Sequence, residues 1–437
     1  MSEKKEYKLL ESIRYSFLEW TAFVLLALFT VNPLVWLITG GKSWAYLYIH
    51  EYNRKVLLLG ALILLVYFLK LRIDEKISPI RELLKKHIAM TLILTFGGLM
   101  IITTLLNGVP EWSIEGDYFC GEGLKGYLSY IIYFFLVAIM LSEKRKRLLS
   151  YVFLISSAVV GGAIFVDYIF FESARDYATR GGMILSNSNH LGYYLLMSIM
   201  FFGMLFVVES KKILKLVYLC AFMFMTSVLI MNDTWGCQLA LFMGIIFTVI
   251  VYSVGKGKFQ PRVLVLLVAM LLTFVLAYFS NDRLRENIDT NVVQQIQDMF
   301  AFVDDDKLDD ETSGTIRIIL WKYTWAYTLE RPFIGHGADV TVDRLMVDAG
   351  NGRCHNDFLQ YAVSFGIPAT LVYIAAIFMV YLRGLKKKVH LTEMNYVGLC
   401  VAFTYLASSL VGNSMYYTAP FLFIALGMGY VRERKEN

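Results

Sequence analysis

Val263-Leu264-Val265-Leu266-Leu267-Val268-Ala269-Met270-Leu271-Leu272-Thr273-Phe274-Val275-Leu276-Ala277-Tyr278-Phe279-Ser280 holds no charged side chain. A bilayer core is about 30 Å thick, so about 20 such residues cross it as a helix. Eleven more stretches read the same way. Together with 262–280 they are 20–39, 56–71, 88–106, 126–141, 149–171, 189–208, 213–231, 235–254, 366–382, 396–412 and 416–431. The sequence therefore predicts an all-α polytopic membrane protein with about twelve transmembrane helices. Composition agrees. The 437-residue chain is 57% hydrophobic and 18% charged with a mean hydropathy of +0.56, whereas soluble domains are about half apolar and a quarter charged. Seven prolines, five cysteines and 15% aromatic residues exclude a disordered, fibrous or disulfide-stapled chain. The first span follows a charged leader without a small-residue cleavage site, so it reads as a retained anchor.

Lys and Arg set the orientation, because cytoplasmic loops carry their excess. With the N-terminus in the cytoplasm, the inner segments hold 27 of the 41 Lys and Arg, the short outer loops hold 6, and the long segment 281–357 holds 8. Both termini are thus expected inside. The net charge of +5 is mainly this topology signal. Clusters such as Lys144-Arg145-Lys146-Arg147 and Lys386-Lys387-Lys388 face anionic lipid headgroups rather than nucleic acid. Inner residues 74–88 place Ile77, Ile80, Leu83, Leu84 and Ile88 at helical spacing, a short surface helix. Three regions follow: helices one to nine in 1–280, a large extracytoplasmic helical loop in 281–365, and helices ten to twelve with the C-terminus in 366–437.

The outer loop carries the chemistry. It opens with an amphipathic stretch, Val292, Val293, Ile296, Met299 and Phe300 on one face. The acidic run 304–311 lacks the alternating oxygens and the Gly of a Ca²⁺ loop and reads as a solvated turn, so no metal site is expected. A helix begins near Ser313 and stops before Arg331-Pro332. On it Arg317, Trp321 and Trp325 stand at i, i+4 and i+8 and share a face. A guanidinium beside two indoles suits an anionic group joined to a sugar ring. The same residues would equally serve as interfacial anchors and a snorkelling arginine. Of six histidines, His87 and His390 fall inside, leaving His50, His190, His336 and His355. Asp167, near the outer end of the fifth span, and Asp233, at a span junction, are the acids closest to the membrane. Cys220 and Cys400 lie within spans as small apolar residues, Cys237 is near an outer helix start, and Cys120 and Cys354 both fall outside, where a disulfide is chemically allowed.

After Pro332 comes Phe333-Ile334-Gly335-His336-Gly337, then Gly352-Arg353-Cys354-His355-Asn356-Asp357-Phe358-Leu359-Gln360, then Gly366-Ile367-Pro368. The order Arg–Trp helix, Pro-x-x-Gly-x-Gly, His-Asn-x-x-Leu, Gly resembles the signature of the bacterial O-antigen ligase and polysaccharide polymerase family. Arg180 followed by Ser186-Asn187-Ser188-Asn189-His190-Leu191-Gly192, and Gly412-Asn413-Ser414 before the last span, fit the same family. The resemblance covers roughly 150–430. It implies a GT-C type, metal-independent, inverting glycosyltransferase of the bacterial cytoplasmic membrane, working without a cofactor on the outer face in surface polysaccharide biosynthesis. Its donor would be an undecaprenyl-diphosphate-linked oligosaccharide and its acceptor a glycan or lipid core. It singles out His355 as the base and matches Arg317 and Arg180 as diphosphate contacts; Arg353 is a further diphosphate candidate, and Trp321, Trp325, His336, Asn189 and Asn356 are the candidate substrate contacts. The chemistry is coherent: the donor is already activated, and what is missing is charge stabilisation on the diphosphate and deprotonation of the acceptor hydroxyl. One departure stands out. Members of the family often carry an arginine at the start of the span 235–254, where this chain has Thr234-Trp235-Gly236.

The alternative classes are a protein O-glycosyltransferase with the same donor and a transporter or flippase of lipid-linked oligosaccharide. A transporter should show an internal repeat and polar spans broken at mid-membrane. No repeat relates 1–208 to 213–431, and the polar residues cluster at the outer ends of the later spans.

Overall fold

The computed structural model describes residues 16–39, 44–74, 76, 78–108, 111–116, 122–170, 184–185, 187–257, 259–289, 313–385 and 391–431. Helices account for nearly all of the regular structure, and no strand occurs among the described residues. Arg180, the amphipathic stretch 292–300, the acidic run 304–311 and Lys386-Lys387-Lys388 lie outside them.

The helices are α1 (Ser16–Thr30), α2 (Asn32–Thr39), α3 (Trp44–Asp74), α4 (Pro79–Lys86), α5 (Ile88–Leu106), α6 (Glu111–Glu115), α7 (Leu124–Phe135, continued by a π-turn at Leu136–Met140), α8 (Glu143–Phe170), α9 (Ser188–Val208), α10 (Lys212–Met231), α11 (Trp235–Lys256), α12 (Pro261–Ser280), α13 (Asp282–Ile288), α14 (Ser313–Glu330), α15 (Val342–Ala349), α16 (Asp357–Phe365), α17 (Ile367–Leu385), α18 (Glu393–Ser409) and α19 (Ala419–Gly429). Every stretch that the sequence marks as a span falls on one of them. Among the described residues eight helices are long and apolar enough to cross a membrane: those of Ile49–Asp74, Ile88–Leu106, Glu143–Phe170, Ser188–Val208, Lys212–Met231, Trp235–Gly255, Pro261–Ser280 and Ile367–Gly384. The bent pair α1 and α2 makes a ninth if counted as one span. The 43° break between them sits beside Pro33, whose ring removes a donor from the helix ladder. The other three expected spans coincide with shorter helices, Leu124–Met140, Glu393–Ser409 and Ala419–Gly429.

The pattern of burial identifies the centre. In the most apolar window of α9, 94% of residues are buried, against 33–50% for the other seven long helices. A helix apolar all round belongs inside a bundle. The neighbours of α9 are α10, α18, α11 and α8, and α19 closes the core by packing on α18 and α7. Aromatic edges lock this centre: Phe421 of α19 meets Phe29, Phe153 and Tyr194, each within 6 Å centroid to centroid. The outward faces are rows such as Leu264, Val268, Leu271 and Leu276 of α12, exposed as lipid-facing side chains are. The predicted surface helix at 74–88 is α4, with Ser78 at its N-cap and Pro79 at its first position. Leu83 is buried, while Ile80 and Leu84 are exposed.

Helices α14 to α16 build a small second core from Leu320, Tyr327, Leu345, Cys354 and Val363. The Arg344 guanidinium lies 3.8 Å over the Tyr327 ring and forks onto Glu330 at 2.7 Å through both terminal nitrogens. This clamp holds α15 against α14 and fixes the loop between α15 and α16, which carries His355.

Candidate functional site

Two Asx caps start the helices that flank the site. Asn187 accepts the N–H of Asn189 at 2.7 Å and caps α9. Asn356 accepts from Phe358 and Leu359 and caps α16, while its Nδ2 donates to the Leu410 carbonyl at 3.0 Å. Between these starts lies a cavity of about 300 Å³. Its wall comprises Asn187, Asn189 and His190 from α9, Val342, Asp343 and Met346 from α15, Asn351, Gly352, Arg353 and His355 from the following loop, and Asn413, Met415 and Tyr417 from the turn before α19. The cavity joins residues that are more than 200 positions apart in sequence.

His355 sits in the left-handed region at φ 54°. Such a backbone costs roughly 1–3 kcal/mol and is kept where surroundings over-determine it. Burial, and then the Arg317 guanidinium beside it, pull its pKa down to about 4. The imidazole is therefore neutral at physiological pH, the form a base requires. Asn351 Nδ2 lies 3.1 Å from His355 Nε2. In the same cavity, His190 stands edge-on to the Tyr417 ring at 4.8 Å. Buried His190 Nδ1 and Asn413 Oδ1 have no hydrogen-bond partner among the described residues. Buried polar atoms in folded proteins find partners, so these two, on one cavity wall, are open to water or to a polar ligand.

Arg317 is half-buried, and burial pulls its pKa down while Tyr193 of α9 and Cys237 of α11 hold it up. Among the described residues no carboxylate pairs with it. Its neighbour Cys237 lies in the first turn of α11, whose N-cap Thr234 makes no side-chain cap bond. Arg317 thus acts electrostatically on Cys237 near the start of α11, where the chain carries Trp235, and a helix N-terminus adds its own partial positive charge. On the same helix Trp321 is half-buried with Nε1 unpartnered among the described residues, whereas Trp325 is 48% exposed. Trp321 is placed for a contact, and Trp325 fits the interfacial anchor.

Three of the expected contacts also have partners within the fold. Arg353 is buried and bridges Asp339 at 2.6 Å and Glu122 at 3.3 Å, even as it lines the cavity. The backbone N–H of Glu122 also donates to Asp339 at 2.9 Å. Glu122 is pushed up to about 8, chiefly by burial, despite the guanidinium and the Tyr130 hydroxyl that donates to it at 2.7 Å. His336 stands outside the cavity wall. Its Nε2 meets the Tyr327 carbonyl at 2.8 Å and its N–H donates to Val363 O at 2.8 Å. Asn356 is spent on capping. The Gly-rich loop serves as the C-terminal cap of α16: Gly337 N donates to Ser364 O and Ile367 N to Pro332 O, both at 2.8 Å. Gly335 and Gly366 take positive φ, and a Cβ on Gly366 would lie 2.4 Å from Phe333 O, so the loop and helix end approach through glycine.

Sequence reasoning missed Asn351, Asp343, Glu122, Asp339 and Asp357. Asp357 is buried, accepts the Ser414 N–H at 2.7 Å and the Ser414 hydroxyl, and burial pushes its pKa up to about 7. It pins the Gly412-Asn413-Ser414 turn to the start of α16. Cys354 is a free thiol donating to Asn356 O at 3.0 Å; its proposed partner Cys120 lies outside the described residues.

Fold and site together define an all-helical integral membrane protein with a polar cavity built where its outlying helices meet the bundle. Residues 219–374 match the model of the family described as O-antigen ligase. The match covers 156 of the 437 residues and shows a likeness of that segment to the O-antigen ligase family. It takes in Arg317, Trp321, Trp325, His336, Arg353, His355 and Asn356, and leaves Arg180 and Asn189 outside. No curated protein and no solved structure matches the chain.

Proposed function

We propose that the protein is a membrane glycosyltransferase that moves a glycan from undecaprenyl diphosphate to a glycan or lipid-core acceptor on the outer face of the bacterial cytoplasmic membrane. The observation that carries this reading is a neutral histidine, His355, under the electrostatic influence of the Arg317 guanidinium, which pairs with no carboxylate among the described residues, on a cavity with two polar atoms unpartnered among those residues. The acceptor hydroxyl attacks the anomeric carbon from the face opposite the diphosphate, so the configuration inverts. Its O–H bond breaks to His355, the bond from the anomeric carbon to diphosphate oxygen breaks, and undecaprenyl diphosphate leaves with the electron pair. Arg317, aided by the start of α11, takes up charge on the leaving diphosphate. Asn187, Asn189, Asp343 and Asn413 supply donors and acceptors for sugar hydroxyls around the cavity. Arg353 holds the loop in place rather than the diphosphate. Arg180 remains a further contact in this proposal, by its place before α9. The donor is a long lipid, which suits a site at the rim of the bundle, and no nucleic acid is involved.

Sidedness tests the proposal. Val347 in α15 is 84% exposed and lies next to the cavity residue Met346. In a cysteine-free background, Val347→Cys should react with a membrane-impermeant maleimide in cells whose outer barrier is permeable, whereas Leu84→Cys should react only after lysis. Protection of position 347 until lysis would put the site on the wrong side for the donor.

A further inference from the structure

We infer that Asn351 is a positioning residue for His355: it fixes which ring nitrogen carries the proton and occupies the basic lone pair until an acceptor hydroxyl replaces it. The inference rests on the reading of His355 as the base. An asparagine amide has one acceptor and one donor end, and its neighbours decide which points where. Here the Arg353 backbone N–H donates to Asn351 Oδ1 at 3.0 Å. That leaves Nδ2, a donor, 3.1 Å from His355 Nε2. A donor facing Nε2 requires a lone pair there, so the neutral ring carries its proton on Nδ1. Both side chains line the cavity, so the protected lone pair lies at the place an acceptor would enter.

The orientation of Asn351 is backed from behind. Arg353, whose N–H sets the amide, is held by Asp339 and Glu122 through its side chain. The groups around the imidazole are Arg317 from α14, His190 from α9, Asp343 from α15, Arg353 from its own loop and Tyr417 from the turn before α19. None of these supplies the donor that Asn351 gives to Nε2.

Asn351→Asp keeps the shape and reverses the chemistry. A carboxylate accepts from Nε2–H, moves the lone pair to Nδ1 and stabilises the imidazolium, and an adjacent opposite charge raises a histidine pKa by about 1–3 units. Asn351→Ala removes the donor alone. The test follows turnover of the full-length protein in detergent against pH, with undecaprenyl-diphosphate-linked oligosaccharide extracted from the producing cells as donor. Asn351→Asp should move the acidic limb upward by at least one pH unit and lower turnover at pH 7 more than tenfold, with the donor KM within about twofold. Asn351→Ala should lower turnover less and shift the limb less. Unchanged pH profiles in both variants, with His355→Ala inactive, would overturn the role of Asn351 and leave the base in place. An active His355→Ala would overturn both.

Discussion

Replacing His355 with alanine should lower turnover by about 10²–10⁴-fold, the usual worth of a positioned general base. Donor KM should stay near that of the parent, because Arg317 and the helix starts, not the imidazole, hold the diphosphate. The pH profile of the parent protein carries a second signature. The folded pKa of His355 is lowered to about 4, so the ring is neutral above that value and becomes protonated as pH falls through it. Protonation of His355 should therefore cause no fall in turnover near the unperturbed value of about 6.5, and its limb should lie near pH 4, below any limb from Asp357 or Glu122. Steady-state kinetics with purified donor measures both. Near-normal turnover in His355→Ala would place the base elsewhere. His336 would not be the obvious successor, because its ring is engaged with the Tyr327 carbonyl.

Arg317→Lys should cost far more than a conserved charge suggests. The ammonium keeps the sign but loses the planar fork that matches two phosphate oxygens. Removing one donor to a developing oxyanion typically costs about 2.7–4 kcal/mol. Some of that charge interaction survives in lysine, so the expected loss is more than tenfold in turnover at equal protein level. Arg317→Ala should lose more. Unchanged activity in the lysine variant would make Arg317 a headgroup anchor, as the interfacial reading of the Arg–Trp helix has it.

The sequence revealed the spans because a bilayer asks for one property, apolarity over about 20 residues, that local composition supplies. Three of the expected spans fall on helices shorter than a full crossing, and there tertiary burial adds to what length supplies. Every residue of the 11-residue α19 is buried, with α18 and α7 its main neighbours. His355 was legible only through its neighbours Asn356 and Leu359 and through the order of motifs. Arg353 and His336 look like ligand-binding residues in a linear reading because their partners are hidden by distance. Glu122 lies 217 residues from Asp339, and no local pattern announces that the two share Arg353. At the start of α9 Asn187 takes the cap, because its short side chain reaches the N–H of Asn189. No local pattern announces, either, that Arg317 of α14 comes near enough to Cys237, two residues from Trp235, to act on it electrostatically.

The central claim is that this cavity transfers a glycan from a lipid diphosphate. Its most direct test is reconstitution of the purified wild-type protein in liposomes with extracted undecaprenyl-diphosphate oligosaccharide, its glycan or lipid-core acceptor, and EDTA. Undecaprenyl diphosphate should be released as the acceptor gains the glycan in equal amount, and EDTA should leave the rate unchanged. Movement of intact donor across the bilayer with no release of undecaprenyl diphosphate would contradict it and make the protein a flippase.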